Sequence, residues 1–280
     1  MKFKLFEKER DIRFLKRLGI AVILIAGLII IKDEVVWQFG GYDDYSDDSY
    51  YSEDYSDGEC NVTKIDLKAF MDIEFYEEGD VGSSDVVAAI EEANNDENIK
   101  AIILDIDSGG GVAVAGEEIS NALSRAYKPT VALIRGFGNS AAYWAAIGTD
   151  SIFASANSDV GSIGVTMSYV DYSQQNRNEG LTYNSISSGR FKDSGDPDKI
   201  LTYEEKQYFM RDINLIAANF IKAVAEKRDL EIEAVEKLAD GSSMLGQMAL
   251  ENGLIDKIGD LYAVRQYLSD LIGEETVICW

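Results

Sequence analysis

Two hundred and eighty residues, 46% apolar and 27% charged, can bury a sizeable core in one large domain or two small ones, which excludes disorder throughout. The absence of histidine excludes Ser-His-Asp and Cys-His nucleophile pairs and histidine-based zinc sites, leaving acid–base chemistry to Lys, Tyr, Asp or Glu. A net charge of −24 argues against nucleic acid as a partner, because backbone binders neutralise phosphates with Lys and Arg.

The charge is unevenly placed. Residues 1 to 32 hold 8 Lys and Arg against 3 acids, and the remainder holds 18 against 47, a split expected for the two faces of a membrane. Residues 1–13 read as a basic cytoplasmic segment and 14–37 as a transmembrane anchor. The uncharged run Leu18 to Ile31 is 14 residues long, short against the roughly 20 needed to span a bilayer. Arg17, Lys32 and Trp37 extend it by snorkelling and interfacial placement. A cleaved signal sequence and a buried soluble helix are the competing readings, and the absence of a small-x-small site after Ile31 favours the anchor. Residues 38–60 form an acidic linker rich in Tyr and Ser, with almost no aliphatic side chain to pack.

From Asn61 the pattern becomes globular, and 61–272 reads as the folded domain with 273–280 as a C-terminal tail. Helices are expected over Asp85 to Asn94, Glu117 to Tyr127 and Ser140 to Gly148. The expected strands are Lys100 to Ile106, Thr130 to Arg135, Ser151 to Ala154 and Val165 to Val170. This alternation implies βα crossovers and a mostly parallel sheet, an α/β fold. Thr202 and Glu205 form a capping-box signature that opens a long helix running to about Arg228. Shorter helices follow over Glu231 to Ala239, Gly246 to Asn252 and Asp260 to Tyr267. Cys60 and Cys279 are too few for a disulfide scaffold, and the sequence leaves open one disulfide or two free thiols.

Two glycine-rich turns carry the chemical signal. Asp107-Ser108-Gly109-Gly110-Gly111 ends one strand just before a helix, where consecutive glycines let backbone N–H groups approach an oxyanion or phosphate. It lacks the Gly-Lys-Ser/Thr of a phosphate loop and the GxGxxG of a dinucleotide site; a functionless turn is the alternative. Gly136-Phe137-Gly138-Asn139-Ser140 places a serine at a helix start, either as a nucleophile in a positive field or simply as an N-cap. Without histidine, a serine nucleophile needs a lysine that loses its proton near neutrality, which burial promotes. Lys192, in Ser188-Gly189-Arg190-Phe191-Lys192-Asp193, is that candidate, and a surface loop lysine is the alternative.

In their order, DSGGGVAVAGEEI, GNSAAYW, VGSIGV (Val160 to Val165) and SGRFKD resemble the small, single-domain form of signal peptide peptidase A, also called protease IV, over roughly residues 62 to 268. The resemblance implies a Clp protease/crotonase-like spiral of ββα units behind one N-terminal transmembrane helix. It implies a Ser-Lys dyad of Ser140 as nucleophile and Lys192 as general base. Gly110 and Ala141 would supply the oxyanion hole, and Ser162 would orient the lysine. No cofactor and no metal are implied. The implied substrates are signal-peptide remnants and unfolded polypeptides; the implied assembly is a homo-oligomeric ring, an octamer in the small members, with serine and lysine of one site from neighbouring chains. The implied location is a prokaryotic plasma membrane, single-pass, with the N-terminus cytoplasmic and the catalytic domain extracytoplasmic.

This sequence departs from the family pattern at Gly109, where proline is usual, implying a looser oxyanion loop. It also has Ala141-Ala142-Tyr143 where Gly-Gly-Tyr is common, implying a narrower approach to Ser140. A catalytically silent membrane-tethered peptide-binding scaffold and a crotonase-like acyl-CoA enzyme are the alternative functions.

Overall fold

The computed structural model describes residues 60–74 and 81–279. The expected basic segment, the anchor and all but the last residue of the linker lie outside them.

The strands that build the sheet are β1 (Val62–Asp72), β2 (Val81–Gly82), β3 (Ala101–Gly111), β4 (Thr130–Asn139), β5 (Ser151–Ala154) and β8 (Lys257–Ile258). They run in the order β2-β1-β3-β4-β5-β8, and every pairing along that path is parallel. The parallel βα arrangement expected from the sequence is therefore present. Two additions extend it. β6 (Asp159–Gly161) pairs with the end of β4 and, antiparallel, with β7 (Ser243–Leu245). β9 (Ile278–Cys279) lies beside the start of β1.

Alternation along β3 explains how both faces are covered. Ile102, Leu104 and Ile106 join the larger core with α1 (Ser83–Asn95) and α2 (Ala113–Arg125), contributing Val86, Ile90, Ile119 and Leu123. Ala101 and Ile103 join Val131, Leu133 and Phe153 under Val264 and Leu268 of α8 (Leu261–Ile272). A parallel strand covered on both sides reads as an unbroken apolar run, as KAIILDI does.

Helix α3 (Ala141–Ala146) is buried at all six positions, as its uniformly apolar sequence requires. Tyr143 donates its hydroxyl to Leu254 O at 2.8 Å, and the Trp144 ring stacks on Phe220 with centroids 4.6 Å apart. Phe220 belongs to α5 (Tyr203–Arg228), which follows the short α4 (Ser173–Asn178). The expected capping box is formed, with Thr202 Oγ1 accepting from Glu205 N and the Glu205 carboxylate accepting from Thr202 N. α6 (Ile232–Leu238) and α7 (Gly246–Glu251) lie between α5 and α8 in the chain.

Two expectations are corrected, and one strand has no counterpart among those expected. Val165 to Val170 forms no strand: it is mostly exposed, and no strand pairs with it among the described residues. β1 has no counterpart among the strands expected from the sequence, because a bulge between Lys68 and Phe70, with Ala69 at φ 60°, breaks its alternation. The segment read as a tail contributes β9 to the sheet, where Cys279 is disulfide-bonded to Cys60. That settles the cysteine question left open by the sequence.

Candidate active site

Both glycine-rich turns meet at the carboxyl ends of β3 and β4, whose residues Ser108 and Gly138 are paired. The last residue of β4 is Asn139, and Ser140 then turns the chain directly into α3. The turn is strained: Ser140 has φ 53° and ψ −125°, a conformation non-glycine residues rarely adopt and one that costs about 1–3 kcal/mol. Ser140 occupies the N-cap position, but its side chain makes no capping hydrogen bond. Its carbonyl accepts from Trp144 N at 2.9 Å, while its own N–H donates to Gly161 O at 2.8 Å. The serine is thus held by its backbone, and its hydroxyl is left for something else.

The first glycine-rich turn packs against this serine. Gly110 has φ 107°, and a Cβ there would lie 2.8 Å from Ser140 Cβ and 3.0 Å from Ala141 N. Only glycine permits both that φ and that approach. The Ala141 N–H opens α3 and has no acceptor within its helix, the position from which a developing oxyanion is stabilised. The Gly110 N–H donates to Ser108 Oγ at 3.1 Å, and Ser108 Oγ in turn donates to Ala69 O. Ala141 and Ala142 are buried in the core. Gly109 has open space around it.

Further contacts hold the turn. Asp107 Oδ1 accepts from Gly136 N at 3.2 Å and Phe137 N at 3.0 Å. The sequence assigns Asp107 and Ser108 no role, because partners 29 to 39 residues away are not visible as spacing. Asn139 Oδ1 is buried without a hydrogen-bond partner among the described residues.

VGSIGV runs alongside through β6, with Asn139 paired to Gly161. Ser162, at φ 49°, donates its hydroxyl to Gly241 O at 2.9 Å, and its N–H donates to Ser242 O. As an acceptor that hydroxyl keeps lone pairs free for an amine.

Lys192 is exposed on the turn around 189–195, with its N–H donating to Gly189 O at 3.1 Å. No hydrogen bond joins it to Ser140 among the described residues. Its neighbours are tied down instead. Phe191 stacks on Tyr208 at 5.2 Å, Arg190 pairs with Glu204, and Asp193 Oδ1 lies 3.4 Å from Lys199 Nζ. Lys199 also pairs with the buried Glu205. The hydrogen bond from Lys199, with those from Thr202, pulls the Glu205 carboxyl down to about 2. The bond to Glu205 likewise raises Lys199 above the ordinary lysine value.

Ser140 thus presents a hydroxyl that makes no capping bond, beside the N–H groups of Gly110 and Ala141, and no hydrogen bond among the described residues joins it to the turn that carries Lys192. No group of three or more acidic or cysteine side chains suited to a metal occurs among the described residues. No helix among them is long and apolar enough to cross a membrane.

Comparison with known proteins bears on this geometry. The sequence profile of peptidase family S49 matches residues 122–273. A Methanocaldococcus jannaschii protein named as a protease is 34% identical over 172 residues, covering 61% of this chain and 55% of that protein. An Enterococcus faecium protein named as signal peptide peptidase SppA is 32% identical over 173 residues, covering 61% of this chain and 50% of its own length. The chain thus spans about half the length of these curated relatives. A solved structure of a membrane-bound stomatin-specific protease superposes with a TM-score of 0.48 at 16% identity, covering 75% of this chain and 84% of that one.

Proposed function

The chain belongs to peptidase family S49, and on that premise we propose that it is a membrane-anchored serine endopeptidase with a Ser-Lys dyad, degrading cleaved signal peptides and unfolded polypeptides near the membrane. The observation that carries this reading is the strained turn that presents Ser140 without a capping bond, directly against Gly110.

In the proposed reaction Lys192 acts as the neutral amine. It takes the Ser140 hydroxyl proton as Oγ bonds to the peptide carbonyl carbon. Negative charge on the carbonyl oxygen is met by the N–H groups of Ala141 and Gly110, the latter exchanging its bond to Ser108. Collapse breaks the C–N bond, and protonated Lys192 returns its proton to the leaving amine. Water, losing a proton to Lys192, then attacks the ester carbonyl; the C–Oγ bond breaks, and Lys192 returns that proton to Ser140 Oγ. Ser162 would accept from the Lys192 amine and orient it.

A neutral lysine is favoured by burial, whereas Lys192 is exposed in the single chain. That contrast supports a homo-oligomeric ring, with eight copies as the working number, in which a neighbouring chain covers Lys192 and brings it to Ser140. The disulfide between Cys60 and Cys279 supports an oxidising, extracytoplasmic location for the domain. A single-pass anchor at 14–37 and a Clp protease/crotonase-like spiral complete the reading.

The test is cleavage of an unfolded protein by the full chain in detergent, comparing wild type with Ser140→Ala and Lys192→Met at matched oligomeric state. Loss of cleavage in both variants is expected. An inert but assembled wild type, or a fully active Lys192→Met, overturns the dyad in favour of a silent peptide-binding scaffold.

A further inference from the structure

Two lysines lie between Ser188 and Thr202, and their surroundings are opposite. Lys192 is exposed and makes no ion pair among the described residues, whereas Lys199 is largely covered between two carboxylates, with its side chain 22% exposed. We propose that Lys199 is a positioning residue for Lys192, clamping the turn that carries the general base to the start of α5 through Asp193 and Glu205. The proposal rests on the reading of Lys192 as that base.

The geometry ties down the side chains of Arg190, Phe191 and Asp193 around Lys192, whose own contact is the backbone bond to Gly189. Asp193, next in the chain, faces Lys199 Nζ at 3.4 Å. Phe191, just before it, stacks on Tyr208 with ring planes 9° apart, and Arg190 pairs with Glu204. All the partners lie on or beside the first two turns of α5. That helix start is itself firmly specified, because Glu205 Oε2 accepts from Thr202 N and Thr202 Oγ1, both at 2.8 Å. The other oxygen of the same carboxylate holds Lys199. One buried glutamate therefore both caps the helix and fixes the clamp.

Burial decides which tether matters. The Arg190–Glu204 pair is exposed on both sides, at 65% and 60%, and such pairs contribute little. The Glu205 side chain is only 5% exposed, so removing Lys199 leaves a covered carboxylate oxygen without its cation. The bond to Glu205 also holds Lys199 protonated, which suits a fixed cation and not a proton acceptor. The two lysines thus divide the work, one held as a charge and the other presented to the reaction.

The test uses the full chain in detergent at matched oligomeric state, reading kcat and KM on an unfolded polypeptide for Lys199→Met, Lys199→Arg, Asp193→Asn and Lys192→Met. Misplacing a reacting group by about 1 Å costs about 10²-fold, so Lys199→Met should lower kcat by about 10-fold or more with KM within about twofold. Asp193→Asn should fall in the same direction, and Lys199→Arg, which keeps the charge, should recover most of the loss. Should Lys199→Met fail to fold, the double variant Lys199→Met/Glu205→Gln, which leaves no orphaned charge, is read in its place. A folded variant with wild-type kcat, or a loss confined to KM, overturns the positioning role. A fully active Lys192→Met overturns the base assignment and the proposal with it, and that failure is told apart because it appears in a different variant.

Discussion

Gly110 stands so close to Ser140 that a single added carbon at 110 would lie 2.8 Å from Ser140 Cβ and 3.0 Å from Ala141 N. Gly110→Ala is expected to push the two turns apart and disturb the space where an oxyanion would sit. Loss of one such donor elsewhere costs about 10²–10³ in turnover, so at least a 10²-fold fall in kcat is expected, measured on an unfolded substrate. Gly109→Ala is the paired control. Its added methyl meets nothing within 4 Å, so turnover should hold within about twofold, with stability raised by about 0.4–1 kcal/mol through the unfolded chain.

The Cys60–Cys279 bridge closes a loop spanning 219 residues of sequence separation. In the chain-entropy account a loop of that size contributes about 5 kcal/mol. A Cys60→Ser/Cys279→Ser double variant, or reduction of the wild type, should lower the denaturant midpoint accordingly. The m-value should rise as the uncrosslinked unfolded state exposes more surface. An unchanged midpoint on reduction counts against the bridge.

Glu205 ties acid stability to the clamp. Its folded pKa of about 2 lies below the ordinary glutamate value of 4.5, so the stability it contributes is complete above about 4.5. It is lost as pH falls through about 2. Thermal melting from pH 6 to 2 should show this loss in the wild type, and Glu205→Gln should start lower and fall less steeply over the same interval.

Tyr143, buried in the helix that follows the proposed nucleophile, donates its hydroxyl to Leu254 O. Tyr143→Phe leaves a buried carbonyl without its donor, at a cost of about 1–3 kcal/mol. A lower Tm is expected with kcat per folded molecule unchanged, because the hydroxyl takes no part in the chemistry.

What could be read from the sequence was what local chemistry determines. Thr202 and Glu205 meet within one helical turn, so their box was visible as spacing, and Ser151–Ala154 was found at its expected bounds. The turns bearing Ser140 and Gly110 were legible for the same reason, since strand, glycines and helix follow one another directly. Val165 to Val170 misled because its alternation describes a strand only when a partner is present, and none pairs with it among the described residues. Asp107 beneath Gly136, Lys199 between Asp193 and Glu205, and Cys60 beside Cys279 were not legible, or were left open, because each depends on contacts that only the folded chain brings together.

The bridge that joins the two ends of the domain also sets how it would bear load. Residues 60 and 279 are cross-linked with Cα atoms 5.3 Å apart, so tension applied through the chain on either side of the domain would pass across one covalent bond, bypassing the hydrogen bonds of the sheet. Drawn on from both ends, the oxidised domain would keep its fold at forces that unravel the reduced one, and single-molecule stretching with and without reductant would register the difference as the missing length of the whole enclosed loop.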